Sequence, residues 1–85
     1  MTLATSSCLE DLASNQLRSA LQRCNNSVQT FPDQPEPWRD RSLVQTLLGN
    51  HDQACLDVEQ AIALLDDLTD SMLRHELEVR QATCK

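Results

Sequence analysis

The segment PEPWRDRSLVQTLLGNHDQACLDVEQAIALLD, residues 35–66, carries the start, stop and restart signals of two consecutive helices. The opening proline suits a first helical turn, where a missing amide hydrogen costs nothing, and the glutamate after it suits the positive end of the helix dipole. Gly49, the single glycine of the chain, can adopt the left-handed backbone that commonly ends a helix. We therefore predict a helix over residues 36–48, a tight turn, and a second helix over residues 51–66.

The second of these helices has small and apolar side chains at the 3.6-residue spacing of a buried helical stripe. They are Ala54, Cys55, Val58, Ala61, Ile62 and Leu65. Small side chains let two helices approach closely, so this stripe is predicted to pack against the first helix.

Trp38 near the start of the first helix, Ala54 in the first turn of the second, and Val58 four residues later resemble the signature of the tetratricopeptide repeat. In that family, pairs of antiparallel helices stack side by side and bury a shared core. The match is incomplete, because Asp66 stands where a proline usually closes the repeat. The resemblance implies an all-α fold of antiparallel helical hairpins.

The stretches before the first proline and after the glycine contain no helix breaker, so they favour further helices. Apolar spacing predicts a helix over residues 16–29 and a last helix over residues 69–83. The first residues support two interpretations. They form either a separate helix over residues 5–13, which turns back along its neighbour, or one continuous helix over residues 8–29.

We expect a single domain over residues 1–85. It would contain a degenerate repeat at residues 1–34, the well-formed repeat at residues 35–66 and a capping helix at residues 67–85. The apolar residues of the capping helix are predicted to share one buried side. They are Met72, Leu73, Leu77, Val79 and Cys84.

Charge limits the classes of partner. Thirteen acidic residues against seven basic ones give a formal net charge of -6, which disfavours nucleic acid and anionic membrane surfaces. The start of the chain has neither the cationic residues nor the apolar run of a secretion signal, so we expect a cytoplasmic protein. A neutral or basic protein partner is predicted.

The four cysteines, at positions 8, 24, 55 and 84, form no CxxC pair and fall on predicted helical faces. We expect them to be small core residues that stay reduced in the cytoplasm, with a metal site or disulfides as the remaining alternatives. His51 and His75 lack a second ligand nearby in sequence. No metal, cofactor or catalytic residue is predicted.

Carboxylates crowd the segment DDLTD, residues 66–70. The pattern could hold a divalent metal, and a metal-dependent enzyme is the remote alternative. A single acidic cluster in so short a chain favours a simpler interpretation, in which Asp66, Thr69 and Asp70 occupy a turn and cap the last helix. Thr69 is the expected cap.

The resemblance also implies a binding face, because the first helix of each tetratricopeptide repeat lines a groove for a peptide. In this chain the partner-binding residues would be Glu36, Arg39, Asp40, Leu43, Thr46 and Leu47. Two alternatives stay open. The two leucines could simply be covered by a neighbouring helix, or the chain could complete its core as a homodimer, since about three repeats are usually needed for a stable stack.

Overall fold

The computed structural model describes residues 8–9, 14–67 and 69–84. A 3₁₀ turn at Ser14–Gln16 leads into α1, Leu17–Thr30, and three more helices follow: α2, Pro35–Leu47, α3, His51–Ala63, and α4, Ser71–Ala82. Within these ranges all regular structure is helical, so the predicted all-α class is confirmed. No described helix combines the length and the apolar character needed to cross a membrane.

The helices predicted over residues 16–29, 36–48 and 69–83 are confirmed to within two residues. The helix predicted over residues 51–66 ends earlier, at Ala63, where the amides of Leu64 and Leu65 bond three residues back instead of four. The carboxylates that follow face the negative end of the helix dipole and disfavour further extension.

The continuous helix over residues 8–29 is wrong. Cys8 and Cys24 are joined by a disulfide, with their Cα atoms 4.9 Å apart. Sixteen residues of unbroken helix would separate them by about 24 Å. The chain therefore folds back before α1, as a hairpin requires, although most of the predicted helix over residues 5–13 lies outside the described residues.

Gly49 joins α2 to α3 as predicted. Its φ is 83°, a left-handed backbone. Two hydrogen bonds close the turn, from the Asn50 amide to the Gln45 carbonyl (2.8 Å) and from the Gly49 amide to the Thr46 carbonyl (3.0 Å). This pair of bonds is the Schellman motif, which fixes the reversal between the two helices.

In the described part of the chain, two clusters form the core. One, between α1 and α2, contains Cys8, Ala20, Cys24 and Val44. The other, between α3 and α4, contains Val58, Ala61, Leu73 and Leu77, with Trp38 of α2 packed against it. Within the predicted stripe of α3, Ala54, Val58 and Ala61 are buried, whereas Cys55, Ile62 and Leu65 are partly buried. The stripe packs against α4 through this second cluster.

The single apolar side predicted for the last helix is wrong. Leu73 and Leu77 are buried, whereas Met72 is 77% exposed and Val79 is 52% exposed. At about 100° per residue, Met72 and Val79 share one direction on the helix, and the two leucines point roughly a quarter-turn or more away from it. α4 therefore has one apolar side in the core and a second in solvent.

The cysteines also differ from expectation. None of the four is free, because Cys55 is joined to Cys84 and Cys8 to Cys24. The prediction of reduced core thiols is wrong. The partners are 16 and 29 residues apart in sequence, and only the reversals of the chain bring them together.

Candidate functional site

Arg39 sits at the contact between α2 and α4. Its Nε donates to Asp40 Oδ1 at 2.7 Å, and its Nη1 donates to Glu76 Oε1 of α4 at 2.9 Å. The Asp40 residue is 1% exposed and lies beneath the guanidinium. Two carboxylates of the protein thus neutralise the charge of Arg39. Because Asp40 is buried, it can affect a ligand only by positioning Arg39.

Burial and neighbouring charges shift the pKa values of both Arg39 and Asp40. Burial raises the pKa of Asp40 above its ordinary value, although Arg39 acts in the opposite direction, and the carboxylates of Glu36 and Glu76 raise it further. Burial acts to lower the pKa of Arg39, but Asp40 and Glu76 outweigh it and the pKa is raised. The guanidinium therefore remains charged.

Beside Arg39 lies an open cleft of about 780 Å³, which we call the acidic cleft. Its walls come from α2 and from the first two turns of α4. The lining residues are Glu36, Arg39, Asp70, Ser71, Met72, Leu73, His75 and Glu76. The lining contains three carboxylates and one guanidinium, which is already paired, so the cleft is negative, and the exposed Met72 adds an apolar surface.

The six predicted binding residues fall in different places. Glu36 and Arg39 line the acidic cleft, whereas Thr46 lines a second cleft. Asp40 is buried, and Leu47 is 56% exposed on the open side of α2. Leu43 is partly buried.

The residues that complete the acidic cleft come from α4, which sequence reasoning treated only as a cap. The sequence pattern predicts Met72 in the core and Asp70 in a cap or, remotely, in a metal site, and it assigns no role to Glu76. One sequence signal could have identified this face. Met72, His75 and Val79 recur at three- and four-residue steps, which places them together on a side of the helix separate from Leu77.

The second cleft, of about 680 Å³, lies between the end of α2, the first half of α3 and the end of α4. We call it the Arg80 cleft. Arg80 Nη2 donates to Ser42 Oγ and to Thr46 Oγ1, both at 3.2 Å. Cys55 and Cys84 also line this cleft.

The chain was compared with protein-family models, with curated proteins and with solved structures. None of the three comparisons found a match. What the protein does must therefore be inferred from its own residues.

Segment 66–70 forms a turn and a cap. The Asp66 amide donates to Thr69 Oγ1 at 2.9 Å, and that hydroxyl donates to Asp66 Oδ1 at 3.1 Å. Asp70, rather than the expected Thr69, caps α4 by accepting from the Met72 amide at 3.3 Å. Among the described residues, no three His, Cys, Asp or Glu side chains converge as a metal site would require.

Arg41 anchors α2 to both of its neighbours. It donates to both carboxylate oxygens of Asp57 in α3, at 2.7 and 3.0 Å, and to Asn25 Oδ1 of α1 at 3.0 Å. Its guanidinium also lies 5.0 Å from the centre of the Trp38 ring. These bonds hold α1, α2 and α3 together and so position the α2 wall of the acidic cleft.

Proposed function

We propose that this chain is a non-enzymatic, tetratricopeptide-like interaction module that binds a basic segment of another protein in the acidic cleft. The observation that carries the proposal is the charge of that cleft. Glu36 forms no ion pair with any described side chain, and the one arginine present is already bonded to Asp40 and Glu76. A lysine or arginine from a partner would supply the missing positive charge.

The cleft also suits the stem of such a side chain. Lysine and arginine carry an apolar stem below a charged head, and that stem can pack on exposed apolar surface. Met72 offers such surface beside Glu36 and Glu76. A flexible methionine is well suited to contacts with varied partners.

The arrangement of α2 and α4 supports the repeat-like interpretation. Arg39 bonds to Glu76, and Thr46 bonds to Arg80, so residue numbers rise in the same direction along both helices. α4 is therefore parallel to α2 and stands where the first helix of a following repeat would stand. The resemblance implies that such first helices line the binding face.

Fluorescence polarisation with labelled synthetic peptides tests the proposal. The probes are two helical peptides of equal length, one of lysine and leucine and one of glutamate and leucine. We expect the lysine peptide to bind and the glutamate peptide not to bind. Glu36→Lys and Met72→Ser should each weaken binding by about tenfold, because the first removes a negative charge and the second removes an apolar contact without changing the charge of the cleft.

Glu78→Lys is the matched control, since Glu78 is exposed on α4 and lines neither cleft. It changes the net charge by the same amount as Glu36→Lys and should leave binding nearly unchanged. Equal weakening by the two lysine variants would show that only net charge matters. Equal binding of the two peptides would also remove the proposal.

Self-association is the second candidate function. Leu47, Leu56, Met72 and Val79 are all more than half exposed, which leaves apolar surface on three helices. Light scattering over a range of concentrations tests this candidate, and Leu47→Asp with Val79→Asp should shift any dimer to monomer. A protein that is strictly monomeric at high concentration would rule it out.

The two disulfides bear on the compartment. The sequence predicts a cytoplasmic protein, because its start lacks the features of a secretion signal, and it predicts reduced thiols as a consequence. Disulfides persist mainly in oxidising surroundings, so the bonded cysteines favour such a compartment over the cytoplasm.

A metal-dependent enzyme is not favoured, because Asp66 and Asp70 are engaged in the turn and the helix cap.

A further inference from the structure

The two disulfides lie in contrasting environments. Cys8 and Cys24 are both 0% exposed, inside the cluster between α1 and α2. Cys55 and Cys84 are both partly exposed and line the open Arg80 cleft. Thiol–disulfide exchange requires that an attacking sulfur reach the bridge, so the two bridges differ in access.

We propose that the Cys55–Cys84 bridge is a thiol-exchange site, open to small thiols of the glutathione class, while the Cys8–Cys24 bridge is structural. This inference goes beyond the proposed binding function and does not depend on it. The Arg80 cleft, which contains this bridge, shares no lining residue with the acidic cleft.

The exchange has two steps. A thiolate attacks one sulfur of the bridge, a new sulfur–sulfur bond forms, and the other cysteine leaves as a thiolate that takes a proton from water. A second thiol then attacks the mixed disulfide and releases the remaining cysteine. Cys55 and Cys84 together gain two electrons and two protons, and two small thiols become one small-molecule disulfide.

Exchange would alter a limited part of the fold. The first half of α4 is held by the buried Leu73 and Leu77 and by the Arg39–Glu76 ion pair. Beyond them, Arg80 donates two 3.2 Å hydrogen bonds to hydroxyl groups of α2, and the bridge joins Cys84 to α3. Loss of the bridge should therefore free the last turn and widen the Arg80 cleft, while α4 stays docked.

Alkylation during reduction tests the proposal on the full oxidised chain. The protein is incubated with reduced glutathione, samples are quenched with iodoacetamide at intervals, and modified cysteines are located by peptide mass mapping. Cys55 and Cys84 should become alkylated or glutathionylated at least about tenfold faster than Cys8 and Cys24, because the buried pair reacts only after local opening. Equal rates, or faster reaction of the buried pair, would overturn the proposal. So would alkylation of Cys55 and Cys84 before any thiol is added.

Two double variants keep the test independent of coupling between the bridges. Cys8→Ser with Cys24→Ser leaves only the exposed bridge, which should react at the fast rate of the parent protein. Cys55→Ser with Cys84→Ser leaves only the buried bridge, which should react at the slow rate. In this second variant, hydrogen exchange at residues 80–84 should increase, and the amides of the first half of α4 should keep their protection. Loss of protection along the whole of α4 would contradict the limited release. If either variant fails to fold, the peptide map of the parent protein decides the proposal.

Discussion

The arginine at position 41 joins α2 to both α1 and α3. Its guanidinium forms an ion pair with Asp57, which is 3% exposed. Arg41 therefore supplies the countercharge of a buried carboxylate. A carboxylate left in such a place without a partner is strongly disfavoured. The pair therefore fixes the register of α2 against α3.

Truncation of this arginine should be costly. We expect Arg41→Ala to lower the free energy of unfolding by about 3 kcal/mol, because it leaves Asp57 buried and unpaired. Arg41→Lys should cost about half as much, since it keeps the charge but loses the two-pronged geometry. Urea unfolding monitored by circular dichroism measures both. An Arg41→Ala protein within about 0.5 kcal/mol of the parent would contradict the assigned role.

Asp40 predicts a pH dependence. The raised pKa of Asp40 means that the folded state binds the proton more tightly than the unfolded state does. In the unfolded state an aspartate has a pKa of about 4. Its contribution to stability is therefore full below that pH and is lost as the pH rises through the higher folded value.

In the Asp40→Asn variant the side chain at position 40 cannot ionise, so the variant lacks this pH-dependent loss of stability. The free energy of unfolding of the parent minus that of the variant should fall as the pH rises above about 4, and then level off. Urea unfolding of both proteins over a series of pH values gives this difference. A difference that rises with pH would show that the ion pair with Arg39 outweighs burial.

At the scale of elements, the side chain of Asp70 caps the N-terminus of α4. Asp70 accepts from the Met72 amide and also opposes the positive end of the helix dipole. Asp70→Ala should cost about 1 kcal/mol of stability in thermal or urea unfolding. Asp67→Ala is the matched control, because Asp67 is an exposed neighbour that lies before the cap. Equal losses in the two variants would show that the local charge matters and the cap does not.

The helices and the acidic cleft differ in how far the sequence predicts them. Gly49 and the proline-rich start of α2 act on their own neighbours in the chain, so the α2–α3 hairpin could be predicted to within a few residues. The acidic cleft joins Glu36 to Glu76 across 40 positions, and no local signal reports that approach. Glu36 and Arg39 were predicted as binding residues by resemblance, whereas the α4 wall was not.

Buried charge and disulfides were missed for the same physical reason. Asp57 looks like an ordinary solvent-facing acid in sequence, and only its meeting with Arg41, 16 positions earlier, makes burial possible. Likewise, cysteines with no short spacing look like small apolar residues. Contacts between distant parts of a chain depend on the completed fold.

At the scale of the whole molecule, the two core clusters formed by the described residues contain few large side chains, so the core that they form is small. Folded domains of about this size have total stabilities of roughly 4–13 kcal/mol. A bridge that closes a loop of 16 residues stabilises the folded state by about 3 kcal/mol, and one that closes 29 residues by slightly more. The combined stabilisation from the two bridges is therefore comparable to the total free energy of unfolding of such a domain.

Complete reduction should therefore unfold much of the chain. In excess phosphine reductant we expect the helical circular dichroism signal at 25 °C to fall well below that of the oxidised protein, and the cooperative thermal transition to broaden or vanish. Each single-bridge variant should keep a cooperative transition at a lower temperature, because it loses only about 3 kcal/mol. The parent protein treated with oxidised phosphine is the control for the reagent. An unchanged transition in the reduced protein would show that Leu73, Leu77 and the Arg41–Asp57 pair suffice, and that the bridges are dispensable for folding.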